Sequence, residues 1–451
     1  MEENFRGSRF AIRNDSGLSY AQGVVHPMIS SVNRLSRICL VLTPAIAFSS
    51  LLVAQQPAPG APPPTAPAAA QAGRGGRGAP PVKSPEVASD GRVTFRLRAP
   101  NARDVAVSMG GKQLPMQKDD QGVWSLTTDA MTPDIYTYSL VVDGTSMNDP
   151  ANRQVQTSFG SFQSMLVVPG PQPWLPAPGV ARGAVTRHAY HSAVANDDRD
   201  FFVYTPAAYD ARRSQPYPVL YLLHGLGDDA ERWLTGGGGA ANILDNLIAE
   251  NKAVPMIVVS PLGYGTSQGP AGGRGSANLI GYSKALLDEV MPMVDKAYNV
   301  SKNREQRAIA GLSMGGAETL YVGLNHLDKF AWIGAFSSAP MLFPAAADAV
   351  QAAGPGGGGR GAPQAMDPAV FAKTFPTLDA KANSQIRMLW IVCGTDDGLI
   401  GVNRQFKDWL KSKGVQFTEQ EVPGMAHVWP LWRQNLTDMA PRLFQAKGKQ
   451  S

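Results

Sequence analysis

Six apolar runs of strand length, "DFFVYTP", "YPVLYLLHG", "VPMIVVSP", "REQRAIAG", "FAWIGAFSS" and "RMLWIVCG", recur between residues 200 and 394. Their apolar residues are close to continuous, so strands made from them need burial on both faces. Between them lie stretches that read as helices, "ANILDNLIAE", "YSKALLDEVMPMVDKAY" and "AETLYVGLNHL". Strands of this kind separated by helices specify an α/β fold, with a mostly parallel sheet and helices on both faces.

This α/β unit is expected over residues 183–446, and a chain of 451 residues has room for more. From Arg92 to about Val168 the pattern shifts to short β-prone runs, "RVTFRLRAP", "DVAVSMG", "GVWSLTTD", "IYTYSLVVDG" and "FQSMLVVPG", divided by Gly, Pro, Asn and Asp. Alternation with turn signals at this spacing predicts a small antiparallel β-sandwich over residues 86–170. Residues 171–182, within and just after "PGPQPWLPAPG", read as a proline-stiffened connection. Residues 55–85 offer almost no core-forming side chain and are expected to be a disordered Pro/Gly/Ala linker. Residues 343–371 are too glycine-rich for a core element and read as a mobile insertion over one face of the α/β unit.

The N-terminal segment 1–54 carries the compartment signal. Arg34 and Arg37 precede an apolar run broken by Pro44 and ending in small residues, the plan of a cleaved signal peptide starting at Met28. A single membrane anchor is the alternative, but the small-residue end suits cleavage, after which no stable span remains. The expected location is secreted or periplasmic. A formal net charge of +5 gives no electrostatic case for nucleic acid or an anionic membrane as partner. Two cysteines, Cys39 and Cys393, leave no disulfide framework, and Cys393 is expected in the core.

"RAIAGLSMGGAET" places Ser313 between glycines where an apolar run ends and a helix begins. In an α/β-hydrolase such a turn lifts a serine nucleophile to the carboxyl edge of the sheet, and the glycines admit close strand–helix contact. The hydroxyl needs a base, which in this fold follows the serine in the chain after an acid. His326 and His427 follow Ser313; His326 reads as a helix-end residue, and His427, on a loop after a strand, reads as the base. The orienting acid belongs after the penultimate strand, where Asp396 and Asp397 stand side by side. Oxyanion donors are expected at the N–H of Met314 and of Leu226, with His224 structural. Trp233, Trp429 and Trp432 lie near these motifs; Trp233 and Trp429 are candidates for stacking on substrate, and Trp432 reads as core. No ligand spacing for a metal and no phosphate-cradling loop is evident, so no cofactor is expected.

With these residues in place, the domain from Gly183 to Phe444 resembles the esterases of carbohydrate esterase family 1, which includes feruloyl and acetylxylan esterases. Enterobactin esterases, S-formylglutathione hydrolase and mycolyltransferases are more distant members. The matching stretches are "FFVYTPAAYD", "YPVLYLLHGLGDDAERW", "AGLSMGGAETL", "CGTDDGLIGVNRQFKDWL" and "GMAHVWPLWRQNL". The resemblance puts the acid on Asp397, closing a "GT-x-D" stretch, and the base on His427, in "G-x-H-x-W-x-x-W". "IYTYSLVVDGTSMNDPANRQVQ" resembles early-set sandwich domains related to carbohydrate-binding family 48. Together these imply a secreted serine esterase removing feruloyl or acetyl groups from plant cell-wall polysaccharide, or acting on a small acyl ester. The alternatives are a siderophore esterase of the enterobactin type and an inert hydrolase-fold glycan-binding protein. The acyl group, the sugar and the oligomeric state are left open.

Overall fold

A computed structural model describes residues 81–271, 276–346 and 366–445. The signal peptide, nearly all of the expected 55–85 linker and the centre of the 343–371 insertion lie outside the described residues. Among the described residues, no helix is long and apolar enough to cross a membrane.

Ten strands precede the larger sheet: β1 (Glu86–Val87), β2 (Val93–Arg98), β3 (Val105–Met109), β4 (Lys112–Pro115), β5 (Gln117–Lys118), β6 (Val123–Thr127), β7 (Asp134–Val142), β8 (Thr145–Met147), β9 (Val155–Ser158) and β10 (Ser161–Val168). They form two antiparallel sheets, β1-β2-β6-β5 and β4-β3-β7-β10-β9, with β8 paired to β7. Strand β2 shows why: Val93, Phe95 and Leu97 are buried while Thr94, Arg96 and Arg98 are not, the period-two signature of a sheet with one dry face. Phe95 meets Tyr138 edge to face across the two sheets, ring centroids 4.8 Å apart. The "DPAN" segment closes one end: Asp149 accepts bonds from Ser84 Oγ and Tyr138 Oη, at 2.6 and 2.8 Å. Ser84, placed in the linker by its sequence, is thus part of the packed sandwich.

The larger sheet contains β11 (Ala184–Ser192), β12 (Asp197–Thr205), β13 (Val219–Leu223), β14 (Ile257–Pro261), β15 (Arg307–Leu312), β16 (Trp332–Phe336), β17 (Met388–Gly394) and β18 (Thr418–Val422), in the order β11-β12-β14-β13-β15-β16-β17-β18. β12 pairs antiparallel with β11 and β14, and the remaining pairings are parallel. Successive residues of one strand feed two separate cores. Val219, Tyr221 and Leu223 join Ile309, Ile333 and Leu389 on one face, whereas Leu220 and Leu222 join Ala310, Trp332 and Trp390 on the other. The first core is covered by α2 (Ser276–Ala285), α3 (Met291–Ala297), α4 (Met314–Asn325), α5 (Pro368–Thr374) and α6 (Ile400–Ser412), the second by α1 (Ala240–Ala249) and α7 (Trp429–Met439).

The connection 171–182 is pinned as well as proline-rich: Trp174 and Leu175 are buried in the second core, and Asn246 Nδ2 donates to the carbonyls of Pro173 and Leu175. One expectation needs correction. The ends of the glycine-rich insertion are core as well, since Phe343 and Phe371 are buried with ring centroids 6.3 Å apart. The glycines between them masked the two aromatic anchors in the composition.

Candidate active site

The register aligns the carboxyl ends of the central strands. Leu223 of β13 pairs with Gly311 of β15, and Leu312 pairs with Phe336 of β16, so the loops that follow gather at one sheet edge. Ser313 is the single residue between β15 and α4, with φ 55° and ψ −113°, a backbone that L residues rarely adopt. Its N–H donates to Phe336 O at 2.9 Å, and its carbonyl accepts from Ala317 and Ala339. The turn closes because the glycines carry no Cβ. One on Gly315 would lie 2.5 Å from His224 O, and one on Gly311 would lie 2.5 Å from Gly315 O.

Asp397 and His427 come from the loops after β17 and β18. These loops are laced together: Thr395 N–H donates to Val422 O, Asp396 N–H to Met425 O, and Gly424 N–H to Thr395 Oγ1. His427 Nδ1 and Asp397 Oδ2 stand 2.8 Å apart, and Leu399 N–H donates to the other carboxylate oxygen, also at 2.8 Å. Burial pushes the Asp397 carboxyl up, but bonds from His427, the Leu399 N–H and Ser337 outweigh it and hold it below its ordinary value. A buried carboxylate kept ionised in this way fixes the Nδ1–H tautomer and leaves Nε2 to take a proton. Asp396 is exposed and accepts from its neighbour Thr395 Oγ1.

Ser313, Asp397 and His427 line one cleft of about 440 Å³, together with Leu226, Met314, Ala339, Met341, Leu342, Gly398 and Leu399. Leu226 and Met314, the expected donors, therefore border the same space as the serine. Met314 opens α4, so its N–H sits at the positive end of the helix dipole. His224 is fully buried, with Nδ1 2.8 Å from Gly225 O and Nε2 accepting the Gly263 N–H, a structural pairing. His326 caps the end of α4.

The tryptophans divide. Trp233 is 0% exposed and its indole N–H donates to Leu223 O, so it has no face to offer a substrate and is a core residue. Trp432 is also buried, packs edge-on to His427 at 4.8 Å and donates to Ser337 Oγ. Trp429 is half-buried, with the Arg232 guanidinium 4.5 Å from its ring centroid and Trp233 edge-on at 5.0 Å. Sequence reasoning missed Ser337, which bridges Trp432 and Asp397; the polar pair ending "FSS" was its only trace. Among the described residues, no group of His, Cys, Asp and Glu could hold a metal ion.

Residues 192–443, more than half of the chain, match the family described as "Putative esterase". The chain belongs to this esterase family. It is 30% identical over 372 residues to an endo-1,4-beta-xylanase/feruloyl esterase of Xylanibacter ruminicola, covering 80% of this chain and 46% of that protein. The esterase thus spans less than half the length of that relative. An acetyl esterase of Caldicellulosiruptor saccharolyticus is 26% identical over 252 residues, covering 50% of this chain and 82% of that one. Among solved structures, the enterobactin esterase of Shigella flexneri matches with a TM-score of 0.53 at 19% identity, over 78% of this chain and 93% of that one. That likeness is one of fold, and the fold is the α/β-hydrolase.

Proposed function

We propose that the protein is an exported serine esterase that removes feruloyl or acetyl groups from plant polysaccharide such as xylan through an acyl-enzyme. The observation that carries this reading is the Asp397–His427 pair at 2.8 Å, bordering one cleft with a serine held in a strained strand-to-helix turn. Ser313 Oγ attacks the ester carbonyl while its proton passes to His427 Nε2, and Asp397 steadies the imidazolium. The carbonyl oxygen becomes an oxyanion held by the N–H groups of Leu226 and Met314. Collapse breaks the ester bond; the sugar oxygen leaves with the proton from His427, and the acyl group stays on Ser313 until water repeats the sequence.

The walls favour an apolar acyl group. Ala339, Met341, Leu342 and Leu399 line a space of about 440 Å³, within the usual range for small-molecule clefts. Trp429, on the helix that follows His427, is the candidate for stacking on a sugar. The xylanase/feruloyl esterase and acetyl esterase relatives support the two acyl groups named. The signal-peptide pattern of residues 28–54 supports export. A siderophore esterase would meet an anionic catecholate substrate, and among the described cleft residues none is lysine or arginine.

The test is chromatography of products from feruloylated arabinoxylan and acetylated xylan, with the Ser313→Ala protein as blank. Ferulate above the blank supports an aromatic acyl pocket, and acetate alone supports a small one. Full activity in the Ser313→Ala protein sinks the mechanism. Failure of Ser313 to take a fluorophosphonate label would favour the inert glycan-binding alternative.

A further inference from the structure

The β-sandwich touches the esterase domain at the loop that carries Leu226. The turn between β9 and β10 consists of Phe159 and Gly160, the latter at φ 79°. Phe159 N–H donates to Gly227 O at 2.9 Å, and Tyr264 Oη accepts the Gly227 N–H at 2.8 Å. Tyr264 Oη in turn donates to Asp228 O, and the Tyr264 ring meets Phe159 edge to face at 5.6 Å. Thr157 Oγ1, on β9, bonds Glu231 farther along the same loop. Both backbone polar groups of Gly227 are therefore engaged, one of them by the sandwich. Gly227 itself has φ 90°, a conformation open to a flexible residue and in need of external restraint.

We propose that the Phe159 turn is a positioning element for the oxyanion donor at Leu226, so that the sandwich contributes to turnover of every ester, including ones too small to reach a glycan-binding surface. The proposal rests on the serine esterase reading. Leu226 precedes Gly227 directly, and an oxyanion donor acts through a distance that must be held to a fraction of an ångström. Free rotation about the Gly227 backbone would let the loop swing and carry the Leu226 N–H, in the Gly225–Leu226 peptide, out of line. Tyr264 holds the Leu226–Gly227 peptide through the Gly227 N–H, and Phe159 holds the next peptide through Gly227 O; the N–H of that second peptide, on Asp228, donates to Gly225 O at 3.2 Å, in the peptide that carries the Leu226 N–H. Neither side chain touches the reacting atoms.

Steady-state kinetics on p-nitrophenyl acetate in the full chain test this. Proline suits the first position of a two-residue turn whose second residue is glycine at φ 79°. Phe159→Pro therefore removes the N–H donor and the ring while keeping the turn. It is expected to lower kcat on the order of tenfold to a hundredfold with KM little changed, because the lost interaction acts in the transition state. Phe159→Ala keeps the N–H and should lose less, and Phe159→Tyr should restore the wild-type rate. Phe162→Ala, at a side chain 63% exposed on β10, serves as the control and should match wild type. Melting temperatures report whether each variant is folded. A folded Phe159→Pro protein with wild-type kcat overturns the proposal and leaves the esterase reading standing. Equal loss in Phe162→Ala would also overturn it. Absence of any turnover that Ser313→Ala abolishes would overturn both.

Discussion

Asp397 is wholly buried at its side chain, whereas the His427 ring is 36% exposed, so the proposed acid is fixed and the proposed base borders the cleft. Replacing Asp397 by Asn removes the acceptor that selects the tautomer, and kcat should fall by roughly a thousandfold to ten-thousandfold. Titration of p-nitrophenyl acetate hydrolysis in the variant checks this. The depressed Asp397 carboxyl also contributes to stability. That contribution is present above its ordinary value of 3.8 and is lost as pH falls through its lower folded value. Glu318, one turn beyond the serine, has the opposite sign. It is fully buried with neither carboxylate oxygen bonded, and burial pushes its carboxyl well up. The folded protein holds a proton there that the unfolded chain releases above about 4.5, so stability falls as pH rises past that point. Glu318→Gln should raise the melting temperature at pH 7 and leave it unchanged near pH 4. At this scale the motifs around Ser313 and His427 marked two residues that the fold brings to one cleft. Trp233 was not legible in this way, because a tryptophan looks the same in a sequence whether it lies in a core or beside a substrate.

The elements were legible wherever burial imposed a pattern. β12 to β17 coincide with the apolar runs because both faces of each are covered. β18, "TEQEV", carries no such run: it is an edge strand whose Glu419 and Glu421 pair with Lys407 and Lys411 or Arg404 of α6. Charges on an edge protect it from pairing with another chain, and they erase the apolar signal as well. β11 is polar for the same reason, at the other edge. The turn from β15 into α4 shows how tightly elements constrain residues. A Cβ on Gly315 would sit 2.5 and 2.6 Å from the carbonyl oxygens of His224 and Leu223. Neither backbone atom can yield without moving β13 and the loop to Leu226. Gly315→Ala should therefore cost about 1–3 kcal/mol or more of stability. Urea unfolding measures that cost, and activity should fall further than stability, because the displaced loop carries Leu226, the proposed oxyanion donor.

At the scale of the whole molecule, sequence patterns find the sandwich and the α/β domain separately, yet nothing local marks how they join. The seam is made by residues far apart in the chain: Arg433 of α7 and Asp134 at the start of β7 are 299 positions apart and bond at 2.6 Å. Arg433 also donates twice to Gly237 O, and Asp134 accepts from the Trp174 indole of the connecting stretch. Burial lowers the Arg433 guanidinium to about 10, which still leaves it charged at neutral pH. A buried cation without its carboxylate is costly, so Asp134→Ala should destabilise by about 3–5 kcal/mol. Replacing both partners, as Asp134→Ala with Arg433→Met, removes the uncompensated charge and should recover much of that loss. Urea midpoints for the two single variants and the pair give the coupling directly. Because Arg433 stands on the helix that begins two residues after His427, the proposed base, the same variants should lower kcat as well as stability if the seam holds that helix in place. A double variant that regains stability without regaining kcat would locate that effect in the position of α7, and a variant that loses stability with kcat untouched would confine the seam to holding the two domains together.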